Sequence, residues 1–145
     1  MLFRTHITLV FLTGLFFVNL LNPPNKILFM ALAMFGSILP DVDNPTSKIG
    51  RFVKPVGYFF KHRGIVHSLF TMAFLSLILS LFTNHFYAFS LGFTAHLVVD
   101  SLTPMGIGFF YPFTSFRIRG FMRTGSIFDH VIFAAILVSS AILLI

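Results

Sequence analysis

Apolar residues run with little interruption from Leu2 to Leu21, pause at Asn22-Pro23-Pro24-Asn25, and resume from Ile27 to Leu39. After Pro40 the chain is polar, basic and aromatic from Asp41 to Gly64. Ile65 to Phe82 is apolar again, Asn84-His85 makes a tight turn, and Phe86 to Leu102 forms a fourth run stopped by Thr103-Pro104. A loop rich in Phe, Tyr, Pro and Gly leads to Gly125, and Ile127 to Ile145 is the fifth run. Apolar runs of about 17–25 residues bounded by Pro, Gly and Asn predict membrane-spanning helices. The pattern therefore predicts five helices in one domain over residues 1–145, the second of them short for a complete crossing. The first run could pass for a signal peptide, but Leu15-Phe-Phe-Val-Asn-Leu-Leu21 offers no small-residue cleavage site, which predicts an uncleaved span.

Composition turns this pattern into a class. Of 145 residues, 57% are hydrophobic and only 10% charged, with a mean hydropathy of +0.94. A soluble domain carries about a quarter charged residues. The expectation is an all-α integral membrane bundle. The absence of Cys excludes disulfides and thiolate metal sites. Ten Lys and Arg face four Asp and no Glu, a net charge of +6. In a membrane protein that excess sets orientation and contact with lipid headgroups, so no nucleic-acid partner is expected. Lys48, Arg51, Lys54, Lys61 and Arg63 precede the third run, Arg117, Arg119 and Arg123 precede the fifth, and Arg4 opens the first, while the opposite side has only Lys26. The positive-inside rule then puts the N-terminus and both long loops on the cytoplasmic side of the inner membrane.

With that topology, all four carboxylates and five of the six histidines fall at one membrane side. His6 opens the first helix, Asp41 and Asp43 follow the second, and His62 and His67 flank the start of the third. His96 and Asp100 end the fourth, and Asp129 and His130 open the fifth. His96 and Asp100 lie four apart, one helical turn, so both can hold one ion. An aspartate at mid-bilayer costs about 2.5–3.5 kcal/mol on insertion scales, so ionisable residues there are functional candidates. His62 and His67 are five apart, about 140° around a helix. Gly64 therefore assigns His62 to the loop and His67 to the first helical turn. Arg63 between them suits a phosphate, which guanidinium binds bidentately.

Each feature also has a purely structural use. The His62–Ser68 stretch would serve as a cationic helix entrance at the headgroups, and Asp41-Val42-Asp43 as a turn. His96 and Asp100 would form a hydrogen-bonded lock between helices. Ser126-x-x-Asp129 resembles a capping box with aspartate in the usual Glu or Gln position. His130 lies about 100° from Asp129, so at most one of the two faces a shared site. His85 reads as a turn residue.

The ordered set His6, Pro40-Asp-x-Asp43, His62-Arg-Gly-x-x-His-Ser68, His96-x-x-x-Asp-Ser-Leu-Thr-Pro-x-Gly106, Tyr111-Pro-Phe113 and Gly125-Ser126 with a late acid resembles the YdjM-type family. The resemblance implies a membrane-bound metal-dependent hydrolase, distantly similar to zinc-dependent phospholipase C, and hence phosphoester chemistry. Val66, Tyr111 and Asp129 depart from the residues usual there (Thr, Trp and Glu), and Asp129 is one methylene shorter than the usual acid. The ligands expected are His6, Asp41, Asp43, His62, His67, His96 and Asp100, holding Zn2+ or Mn2+ through nitrogen and oxygen. Arg63 is expected to hold phosphate and Asp129 to orient a ligand or water. The interleaved basic and aromatic loops place membrane lipids as partners and a phosphorylated or lipid-linked molecule as substrate. An ion or proton carrier and a non-catalytic scaffold are the alternatives.

Overall fold

The computed structural model describes residues 3–44 and 64–143, with the Asp43 side chain outside the description. His62 and Arg63, and with them Lys48, Arg51, Lys54 and Lys61, lie outside the described residues. Among the described residues five α-helices carry the fold: α1 (Phe3–Leu21), α2 (Lys26–Ile38), α3 (Leu69–Ser80), α4 (Phe86–Ser101) and α5 (Ile127–Leu143). Short 3-10 turns at Leu39–Asp43 and Ile65–His67 follow α2 and precede α3. Among the described residues there is no strand, only an isolated antiparallel bridge between Ile107 and Ile118.

Local chemistry explains most helix ends. α1 stops at Asn22, whose φ of 41° is a left-handed conformation that asparagine tolerates at a helix C-terminus. Asn25 then caps α2 by accepting from the Leu28 N–H at 2.9 Å. The third helix starts later than its apolar run predicts. Ser68 is its N-cap, accepting from the Thr71 N–H at 3.2 Å, so Ile65–His67 forms a separate 3-10 turn ahead of it. His67 thus sits before the helix and not on its first turn, because the Ser68 hydroxyl satisfies an orphan helix donor that apolar patterning does not register.

α4 is the hub. It packs most extensively on α2 and also contacts α1 and α3, while α5 lies against α1. One buried cluster joins Val10 and Val18 of α1 to Phe29 and Ala33 of α2 and Ala88 of α4; a second joins Phe89, Phe93 and Leu97 of α4 to Ile107. Beyond α4 the chain is laced back onto that helix's end: Gly120 N–H donates to the Thr103 carbonyl at 3.1 Å and Met122 N–H to that of Leu102 at 2.9 Å. Leu69 N–H donates to the Phe109 carbonyl at 2.9 Å, which ties the start of α3 to the same loop.

Only α1, 19 residues at a mean hydropathy of 1.5, is long and apolar enough by itself to cross a membrane among the described residues. α3 and α5 are apolar but shorter, at 12 and 17 residues. At 1.5 Å per residue they reach ~18 and ~26 Å, against a hydrocarbon core of about 30 Å.

Candidate metal centre

The ends of four segments converge. His6 comes from the start of α1, Asp41 from the 3-10 turn after α2, His67 from the 3-10 turn before α3, and His96 with Asp100 from the last turns of α4. Two ligand groups result, His6–His96–Asp100 and Asp41–His67–His96, and within each the donor atoms lie within 4.8 Å of one another. His96 belongs to both. His6, His67, His96 and Asp100 are all buried.

The spacing suits a metal centre. His6 Nε2 is 3.3 Å from Asp100 Oδ1, while His67 Nε2 and His96 Nε2 are 3.9 and 3.8 Å from Asp100 Oδ2. An N–H···O bond is about 2.7–3.2 Å long, so the His6–Asp100 pair lies at the edge of hydrogen-bonding reach and the other two pairs lie beyond it. Two ligands at about 2.0–2.2 Å on a tetrahedral ion sit ~3.4 Å from each other, close to the edges found here. The two Asp100 oxygens also face different imidazoles, Oδ1 towards His6 and Oδ2 towards His67 and His96. That is the geometry of a carboxylate able to bridge.

The ring nitrogens supply a second test. His6 and His96 stack at 4.4 Å between centroids with an angle of 26°, and His67 lies 5.4 Å from His96. His6 Nδ1 is buried with no hydrogen-bond partner among the described residues, and the likewise buried His96 ring has the backbone of Ser37 beside it. A buried polar atom costs about 1–3 kcal/mol if left unsatisfied. A ring nitrogen offering its lone pair to a cation would gain a partner, so this donor set fits a divalent ion bound through nitrogen and oxygen.

The other expected site residues are placed differently. Asp43 contributes only its backbone to the description, and His62 and Arg63 lie outside it. Asp129 is fully buried but belongs to neither ligand group. Its Oδ1 accepts from the Thr5 hydroxyl at 2.8 Å and its Oδ2 from the Gly125 N–H at 2.9 Å, while its own N–H reaches Ser126 Oγ at 3.4 Å. Half of the expected capping box is present; the carboxylate turns to Gly125, one residue before the cap. Because Thr5 precedes His6, Asp129 pins the α1 segment that presents this imidazole. Asp129→Ala should therefore lower stability by about 1.5–3 kcal/mol, the range for hydrogen bonds to a charged group. Thermal unfolding in detergent checks this, with Thr5→Val expected to lose a smaller share. His130 is exposed and contacts the Ser126 carbonyl through Nδ1, at 2.8 Å.

Sequence reasoning passed over Thr5 as a latch, and it passed over Ser37. The Ser37 hydroxyl is buried without a hydrogen-bond partner among the described residues, four positions before Asp41. A small polar residue in an otherwise apolar helix, one turn from a candidate ligand, was the available signal.

This geometry can be set beside known proteins. A family-wide match extends over residues 1–144. The chain belongs to the YdjM inner membrane protein family. The motif order had pointed to the same YdjM grouping. The uncharacterized protein YvsG of Bacillus subtilis (strain 168) is 31% identical over 124 residues, covering 80% of this chain and 78% of that protein. The inner membrane protein YdjM of Escherichia coli (strain K12) is 30% identical over 94 residues, 55% of this chain and 47% of its own length, and the Shigella flexneri protein matches equally. This chain thus spans about half the length of those two YdjM proteins. No solved structure matches significantly. YdjM membership, together with the apolar α1, supports membrane association; the names of these relatives carry no reaction.

Proposed function

We propose that this chain is a multi-pass inner-membrane hydrolase of phosphoesters, with a lipid-linked phosphate as substrate. In this reading one or two divalent ions, Zn2+ or Mn2+, are held by His6, Asp41, His67, His96 and Asp100. Asp43 and His62 extend that set from the flanking segments, and Arg63 holds the phosphate. The observation that carries the reading is the convergence of buried imidazoles and a carboxylate at 3.3–3.9 Å. The inside-out distribution of side chains supports several membrane passes. Phe70, Phe74 and Leu77 of α3 and Ile127, Phe128, Val131 and Val138 of α5 are exposed, whereas His67, His96, Asp100 and Asp129 are buried. An apolar exterior of this kind suits lipid. Helices as short as α3 are accommodated by local thinning of the bilayer. The cytoplasmic orientation rests on the Lys and Arg loops.

A divalent ion in this site supplies an acidified water and withdraws charge from a phosphoryl oxygen. The protein's share is positional. His6 and His96, packed ring on ring, present ring nitrogens, and Asp100 presents one oxygen to each side. Asp129, acting through Thr5, keeps His6 in register. The placement also weighs against an ion carrier. Transporter sites lie near the bilayer midplane on broken helices, whereas these donors sit at helix ends.

Elemental analysis of detergent-purified protein, followed by turnover of phosphomonoester, phosphodiester and lipid-linked pyrophosphate substrates, tests the reading. Metal-dependent hydrolysis abolished by His96→Ala is the expected result. Bound metal with ion flux in liposomes and no hydrolysis would transfer the site to a carrier, and protein that takes up no transition metal would leave a scaffold.

A further inference from the structure

Ser37 carries the one helical hydroxyl that the described fold leaves unspent. Every other Ser and Thr within the five helices gives its hydroxyl a partner. Some bond a carbonyl earlier in the chain, as Ser101 and Ser140 do, and some a side chain of another helix, as Thr5, Ser76 and Ser90 do. The Ser37 hydroxyl makes neither bond, although the residue is only 1% exposed. Native folds rarely bury a polar atom unpaired, because its lost hydration is then not replaced. A serine inside a helix ordinarily turns back to the carbonyl four residues earlier. For Ser37 that carbonyl belongs to Ala33, and it is pressed against Gly92 of α4.

The register of α2 on α4 places this hydroxyl at the candidate centre. Positions four apart share a helix face. Ala33 lies against Gly92, and one turn further along both helices the Ser37 backbone lies beside the His96 imidazole. A turn beyond those residues come Asp41 and Asp100, both candidate ligands. Ser37 therefore stands between the tight glycine contact and the ligand cluster, on the buried row of α2 that includes Phe29 and Ala33. Imidazole nitrogens and carboxylate oxygens hold a cation through lone pairs, and Zn2+ takes them in preference to a neutral hydroxyl. An oxygen-bearing group held at the same place also needs hydrogens, and an O–H can donate one.

We infer that Ser37 is a substrate-binding residue whose hydroxyl donates a hydrogen bond to a phosphate oxygen of the group held at the metal centre. The role rests on the reading of the cluster as a metal centre that takes phosphoesters, but it does not need turnover.

Inorganic phosphate titrated calorimetrically into the Zn2+-loaded, detergent-purified full chain, with unbound ion removed, is the probe. Ser37→Ala deletes one oxygen and no hydrogen bond of the described fold, and alanine favours a helix, so the variant should melt no lower than wild type. Its Zn2+ content should also match, because Ser37 belongs to neither ligand group. Phosphate binding should nevertheless weaken about tenfold or more, as expected for a lost hydrogen bond to a charged group. Ser140→Ala removes a buried helical hydroxyl that is bonded to the Ile136 carbonyl, and it should leave phosphate affinity unchanged. Loss of phosphate with metal and stability retained is a pattern that a merely structural serine would not produce. Equal phosphate affinity in Ser37→Ala and wild type overturns the assignment and leaves the metal centre standing. A drop in Zn2+ content or melting temperature that accounts for the phosphate loss also overturns it, since Ser37 would then only support His96. Wild type that takes up no Zn2+, or binds Zn2+ but no phosphate, overturns it as well. Phosphate binding with the expected dependence on Ser37, but no ester turned over, would sink the hydrolase reading alone. Competition by phosphatidic acid vesicles, with phosphatidylcholine vesicles inert, assigns a lipid headgroup as the source of the phosphate; equal competition by glycerol phosphate assigns a soluble ester.

Discussion

Asp100→Ala is expected to leave a folded helical protein that no longer retains a divalent ion. Asp100 lies within 4 Å of His6, His67 and His96, so its loss removes a donor shared by all three imidazoles, although Asp41, His67 and His96 form a second group without it. Substituting a partner that only orients a ligand costs about 10–100-fold in metal affinity. Removing a ligand that faces both sides should cost more than about a hundredfold. The same change also relieves the desolvation penalty of a buried carboxylate. Metal-free Asp100→Ala and metal-free wild type set the two baselines for the comparison. The difference emerges on adding metal. At a hundredfold excess over Kd a bound ion stabilises the wild type by about 2.7 kcal/mol, and the variant should show no such increment. Melting curves in detergent with and without Zn2+, paired with elemental analysis, read both quantities. If the variant keeps its ion and its metal-induced shift, Asp100 is not a ligand and the site as drawn fails.

That experiment probes contacts only partly visible in the sequence. The i,i+4 spacing of His96 and Asp100 is legible, because a regular helix converts sequence distance directly into direction. The pairing of His6 with Asp100 is not, since 94 residues separate them and no local rule brings them together. What the sequence did offer was a topological argument: alternating helix ends collected the titratable residues at one side. The five apolar runs correspond to five helices because Asn22, Pro40 and Gly125 interrupt them with chemistry that patterning recognises. The start of α3 escaped it, since Ile65-Val66 continues the apolar run and only the Ser68 hydroxyl marks the true cap. Asp129 was half legible. Its relation to Ser126 is local, but its bond to Thr5 joins the two ends of the chain.

Gly92→Ala is expected to be the most damaging single change outside the centre. A Cβ at Gly92 would lie 1.8 Å from the Ala33 carbonyl oxygen of α2, and one at Gly36 would lie 2.2 Å from the Phe89 carbonyl oxygen of α4. Each helix therefore places a glycine against the other's backbone, the small-residue contact that lets helices approach closely in membranes. A backbone oxygen cannot swing aside. Reaching even a 3.0 Å separation requires α2 and α4 to part at that point. Overpacking of this kind costs about 1–3 kcal/mol and sometimes more. The consequence extends beyond stability, because the two helices deliver Asp41 on one side and His96 with Asp100 on the other. A displacement of about 1 Å is enough to spoil a catalytic arrangement by about a hundredfold. Gly14→Ala is the matched control: its Cβ would meet only the Met30 thioether, at 2.7 Å, and that flexible side chain can move. Gly92→Ala should thus lower both the melting temperature and the metal content while Gly14→Ala changes each little. Equal behaviour of the two variants would mean that the α2–α4 contact does not hold the donors in place.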